Sequence, residues 1–105
     1  MKVQDIAIST FATIITNANI EKLKNMIDSG FDLINLEQTQ KYLKTIRIFR
    51  SIPFIGSYVD KIKEIKPDQV LDFIKEKNKE VYQVLTTDSG LKWFYRQFQL
   101  FMENV

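Results

Sequence analysis

The chain contains no cysteine and no histidine. Without thiols there is no disulfide framework, no thiolate metal site and no cysteine nucleophile. Without imidazole the commonest general base and the commonest transition-metal ligand are missing, as is the only side chain that titrates near neutrality unperturbed. Glycine and proline are scarce too. The three glycines stand apart from one another, so no glycine-rich loop can cradle a phosphate. The carboxylate pairs at helical spacing, Asp72 with Glu76 and Glu76 with Glu80, alternate with Lys75, Lys77 and Lys79. That is the pattern of a salt-laced solvent face, not of acid–base catalysis. We expect no catalytic residues, no metal site, no cofactor and no small-molecule substrate. Any metal bound at all would be a hard cation on carboxylates.

Long apolar runs are lacking as well. No stretch reaches the ~18 residues that a membrane span requires. Residues Ile6 to Ile20 carry no charge, but Asp5 stands at their entrance and Ser9, Thr10, Thr13, Thr16 and Asn17 interrupt them. A secretory leader is more continuous and ends in a small-residue cleavage site. The chain reads as a cytoplasmic protein with no membrane partner.

What is present suits an ordinary globular protein. With 105 residues, 45% of them hydrophobic, residues 1–105 can close one core without staples. Isoleucine outnumbers leucine, and lysine and asparagine are common, a composition shared by low-GC and thermophilic sources. The net charge of +2 is compatible with nucleic acid without demanding it.

Periodicity and punctuation give an all-α fold, a compact bundle of five to six helices. The first helix runs from about Gln4 to Ala18, with Ala7, Ile8, Phe11, Ile14 and Ile15 on one face. A break is expected at Asn17–Asn19, where the apolar stripe jumps round the axis. Asn19 caps a second helix that ends on Gly30. A third opens at Asn35, with Gln38 completing a capping box, and ends at Pro53. A short fourth starts at Ser57. The fifth has Pro67 at its first position and continues to Leu85 through Asn78, a polar residue in the middle of its stripe that suits a bundle edge or a register-fixing role. The last runs from about Ser89 to Glu103 with Asp88 as cap. Val3–Ile8 and Ile46–Phe49 carry enough β-branched residues for short strands as an alternative.

Three surfaces stand out. The C-terminal helix places Leu91, Trp93, Phe94, Tyr95, Phe98, Leu100, Phe101 and Met102 all round its axis. A helix apolar on every side is either central to the core or shared with a partner. Trp93 is expected to be more exposed than Phe94, because Leu91, Phe94, Tyr95, Phe98 and Met102 form the longer stripe. Secondly, Lys41, Lys44, Arg47 and Arg50 lie in a stretch with no acid between Glu37 and Asp60, and Lys61, Lys63 and Lys66 follow. One-signed surfaces of this kind suit a phosphate backbone, although a solvated polar face has the same appearance. Thirdly, the back of the first helix carries hydroxyls and amides where charges are usual, which suits a second packing face.

Two short resemblances follow from these residues. Asp88-Ser-Gly-Leu91-Lys-Trp93-Phe94-Tyr95 resembles the peptide by which replication proteins bind the sliding clamp. Leu91, Phe94 and Tyr95 match it, but Asp88 stands where that motif has Gln. Asn17 to Asn35 resembles the second half of an ankyrin repeat at Asn17, Ile20, Glu21, Gly30, Asp32 and Asn35. Nothing recurs a repeat length downstream, and such arrays need three or more repeats. The segment therefore reads as a helix with a glycine cap.

The sequence favours a non-enzymatic protein–protein interaction or assembly subunit. It would act through Leu91, Trp93, Phe94, Tyr95, Phe98 and Phe101, with a protein partner or a homo-oligomer. The alternative is a small nucleic-acid-binding protein using Lys41, Lys44, Arg47, Arg50, Lys61 and Lys63.

Overall fold

Ala7, Ile8, Phe11, Ala12, Ile14 and Ile15, spaced for one helical face, wind Val3–Thr16 into α1 and bury the resulting stripe. The computed structural model describes residues 3–105, all but the first two of the span expected to form the domain. The expected break follows. Asn19 is extended and its Oδ1 accepts from the Lys22 N–H at 2.7 Å, so α2 (Ile20–Ser29) starts afresh. Gly30 closes α2 at φ +67°. Its N–H donates to Ile27 O at 3.2 Å and that of Phe31 to Met26 O at 2.9 Å, the paired bonds of a Schellman cap.

Asn35 does not open the third helix. Leu33–Asn35 form a 3₁₀ turn, and α3 (Glu37–Arg50) begins beyond it on Leu36, without a capping side chain. The turn is closed by the Asn35 and Leu36 N–H groups donating to Asp32 O and Leu33 O, each at 3.0 Å. Leu33 is buried and its N–H donates to Gln97 Oε1 at 2.7 Å, which ties the turn to the C-terminal helix. The other end of the Gln97 amide donates to Asp32 Oδ1 at 3.0 Å. Arg96 holds the same carboxylate in a fork, through Nε at 2.9 Å and Nη2 at 3.0 Å. Arg96 first, and then Gln97, keep the Asp32 carboxyl below its usual range.

α4 (Gly56–Ile62) and α5 (Pro67–Lys77) come next, Pro67 presetting the first turn of α5 with Asp68 near its positive end. The single helix expected from Pro67 to Leu85 is two. At Asn78 the backbone extends to φ −153°, ψ 93°, and the side chain accepts from the Val81 N–H at 3.2 Å. Asparagine competes with the helical backbone in this way, and α6 (Lys79–Leu85) starts over. Asn78 is thus a cap, not a register residue. The break raises the count among the described residues to seven α-helices, above the five or six expected. α7 (Asp88–Glu103) is capped by Thr87, whose Oγ1 accepts from the Gly90 N–H at 3.1 Å. Asp88, the expected cap, lies in its first turn. Among the described residues there is no strand: Val3–Ile8 lies in α1 and Ile46–Phe49 in α3.

The centre of the core is aromatic. The Phe11 ring meets those of Phe94, Phe98 and Phe101 at 6.1, 6.0 and 4.9 Å, and Tyr42 stacks on Phe101 at 5.8 Å. Such pairs each add about 0.5–1.5 kcal/mol beyond simple burial. α7 therefore supplies the aromatic half of the core, while α1 lies along α4 and α5, and α4 also packs on α3. That last arrangement leaves one end of the molecule formed by α1, α3, α4 and the turn between α3 and α4.

Candidate docking surface

The C-terminal helix does not present its aromatics outward. Phe94 is fully buried, Trp93 is 4% exposed, and Phe98 and Phe101 lie in the same core. Leu91 packs half-buried against that core, and Tyr95 alone of the six expected partner residues is exposed. The indole of Trp93 donates to the Phe31 carbonyl at 2.8 Å, which fixes the ring inside. Trp93 is more exposed than Phe94, as expected, but only marginally, since both rings are buried. The helix is amphipathic after all, with Lys92, Tyr95, Arg96 and Gln99 on its outer side and a polar residue, Gln97, on its inner one. In the segment that resembles the clamp-binding peptide, Phe94 faces the core and Tyr95 faces solvent, so the paired aromatics do not act together.

Thr10 and Thr13 return their hydroxyls to the Ile6 and Ser9 carbonyls at 2.8 and 2.7 Å. Tyr42 lies beside Thr10, and burial pushes its phenol above the usual range.

The six candidate cations are all exposed. Lys41 is paired with Glu37 at 3.2 Å, one helical turn away. Among the described residues Lys44, Arg47, Arg50, Lys61 and Lys63 have no ion-pair partner. Lys61 lies over the Tyr58 ring at 6.0 Å. These side chains share the α3–α4 region of the fold, yet they do not converge on one pocket.

What the sequence reading missed lies between them. Of the eight exposed large hydrophobics among the described residues, seven belong to this end: Ile6 on α1, Ile48 and Phe49 on α3, Ile52, Phe54 and Ile55 in the turn, and Tyr58 on α4. Four of them, Ile6, Phe49, Ile55 and Tyr58, line an almost wholly apolar groove of about 250 Å³ together with Val3, Ile46, Val59 and Ile62, while Ile48, Ile52 and Phe54 lie outside its lining. The groove's only titratable groups are the phenols of Tyr42 and Tyr58. It can bind apolar matter but offers no nucleophile, general base or metal ligand near neutral pH.

The turn itself is unusual. The Ile55 N–H donates to Ile52 O at 3.3 Å across Pro53 and Phe54, and Phe54 has φ +71°. Proline at the second position and positive φ at the third are the pattern of a type II turn, where the third residue is ordinarily glycine. Here it is a phenylalanine, 93% exposed. Gly56 then lets α4 start hard against α3, since a Cβ at that position would lie 2.7 Å from the Arg50 carbonyl oxygen. The signal was available in Ile52-Pro53-Phe54-Ile55, four apolar residues in a connection where polar ones are usual.

Among the described residues no cluster of acids could hold a metal ion, and no helix is long and apolar enough to cross a membrane. Comparison with known proteins finds no matching family, no matching curated protein and no matching solved structure.

Proposed function

We propose that this chain is a small, non-enzymatic interaction subunit of the cytoplasm that attaches through its α1–α3–α4 end rather than through α7. The observation that carries the reading is the gathering of seven exposed large hydrophobics at one end of the fold, four of them lining an apolar groove. Isolated exposed apolar side chains need no explanation, whereas a contiguous patch bordered by charged residues marks a contact surface. The scarcity of reactive groups in the groove supports binding over catalysis.

Affinity capture from an extract of the source cells, membranes included, tests the reading. Wild-type protein and an Ile48→Ser/Phe54→Gly variant would be compared, both substitutions being at exposed positions. Components retained by the first and lost by the second support it. Identical retention by both rejects it and returns attention to Tyr95 and the rest of the surface. The nucleic-acid alternative explains the unpaired cations but leaves the apolar groove without a role. Salt-dependent retention on mixed-sequence DNA or RNA, flattened by removing Lys44, Arg47 and Arg50, is the observation that would favour it.

A further inference from the structure

Granted that this end is a docking surface, a second question is what it docks on, and we propose an anionic lipid surface. The inference starts at Phe54. Its backbone conformation is one that glycine adopts freely and L-residues rarely do, and its ring stands clear of the rest of the protein. A side chain that contributes nothing to the fold and strains its own backbone is placed for something outside it. A protein partner would have to supply a shaped pocket for a lone protruding ring. Bilayer hydrocarbon accepts one with no shape match. Ile52 and Ile55 share the turn with Phe54, and Tyr58 flanks it with an apolar body and a hydroxyl, the combination suited to the headgroup boundary.

Charge points the same way. No acidic residue occurs between Glu37 and Asp60, while Lys44, Arg47 and Arg50 are exposed along that stretch. At ~100° per residue these three lie on the sides of α3 away from Phe49, so the cations flank the groove, with Ile48 beside Lys44 at its margin. Asp60, by the same spacing, falls on the far side of α4 from Tyr58. An apolar wedge with cations beside it fits apolar groups sunk about 5–10 Å below a layer of anionic headgroups. A second copy of the chain fits worse, because two such ends would bring cations against cations. No helix among the described residues is long and apolar enough to span the bilayer, so the attachment would be to its surface.

Co-sedimentation with vesicles of phosphatidylcholine alone, and of phosphatidylcholine with phosphatidylserine, tests the proposal. Wild-type protein should pellet with the second and not the first, and less so as salt rises. Phe54→Gly, which removes an exposed ring from a position glycine prefers, should fold normally and partition at least about tenfold more weakly. Each of Arg47→Ser, Arg50→Ser and Lys61→Ser should weaken partition roughly fivefold at low salt. No pelleting with anionic vesicles at low ionic strength overturns the proposal. So does equal pelleting by Phe54→Gly, which would leave simple electrostatic attraction, or equal pelleting with both vesicle types. If vesicles are ignored while the Ile48→Ser/Phe54→Gly variant still loses a captured protein, the lipid fails and the docking surface stands. If neither assay separates variant from wild type, both fall.

Discussion

Replacing Phe54 with glycine should leave the protein as stable as before or make it more so, although an entire phenyl ring is deleted. The ring is 93% exposed, so it loses little contact. At about 25 cal/mol per Å² and roughly 150–250 Å² for a whole aromatic side chain, the loss is about 0.3–0.4 kcal/mol. Against this stands the φ of +71°. The left-handed conformation costs a residue with a Cβ roughly 1–2 kcal/mol. Glycine escapes that cost but loses roughly 0.5–1 kcal/mol through the greater freedom of its unfolded chain. The balance is about 0–1 kcal/mol in favour of the variant. Phe54→Ala separates the contributions, since it loses the ring but keeps the Cβ. It should fall a few tenths of a kcal/mol below wild type and also below Phe54→Gly. Urea titrations of the three proteins at equal m-values read these differences, and a gap of 1 kcal/mol moves the midpoint by roughly 0.5 M. If Phe54→Gly unfolded at lower urea than Phe54→Ala, the turn would not be left-handed in solution. The placement of residue 54 for an outside contact would then lose its basis.

Other expectations test the core and its polar inclusions. Gln97→Leu strands the buried Leu33 N–H and should cost about 1–3 kcal/mol. Gln97→Glu should be worse at neutral pH, where a second carboxylate meets Asp32, and should recover towards about pH 5. A carboxyl whose folded pKa is raised contributes stability below its unfolded value and loses it as pH rises. The Thr39 hydroxyl is buried with no hydrogen-bond partner. Thr39→Val, of the same shape, should therefore gain about 1 kcal/mol, or roughly 4 °C in Tm. Burial raises the Tyr42 phenol above its ordinary value. Its contribution should be present below about pH 10 and disappear above it, a slope absent from Tyr42→Phe. Trp93 should emit in the blue and resist acrylamide in dilute protein, and Trp93→Ala should cost about 3–5 kcal/mol. A red-shifted, readily quenched emission would contradict its placement in the core.

Helix ends decided by local chemistry were legible in the sequence. Asn19, Gly30 and Pro67 each act through their own backbone or the next turn, and each lies where its residue type places it. Asn35 and Asn78 show the limit. Both are asparagines near helical periodicity, yet one ends a 3₁₀ turn tied to Gln97 through Leu33, and the other caps a new helix. The C-terminal helix was misjudged for a related reason. Its inner face includes the polar Gln97 and its outer face the aromatic Tyr95, so a count of apolar residues made it look uniform. Only the Asp32 carboxylate and the Leu33 N–H, brought in by distant sequence, explain why an amide belongs inside. The proposed docking end was hidden differently. Ile52-Pro53-Phe54-Ile55 left a trace as an apolar connection, but Ile48 is an ordinary letter in a helix, and its exposure depends on what the neighbouring elements leave uncovered.

The position of α7 also matters to a chain still being made. Phe11 finds its aromatic partners only on Phe94, Phe98 and Phe101, at the far end of the sequence, and Leu33 finds its hydrogen-bond acceptor there too. A ribosome releases α1 and α2 long before it has synthesised those residues. Helices of this length are marginal alone in water, so the part of the α1 stripe around Phe11 stays uncovered until α7 follows, although α4 and α5 arrive earlier to pack on α1. The aromatic centre of the core is thus completed late, and the growing polypeptide depends in the meantime on whatever shields the residues before α7 from other chains.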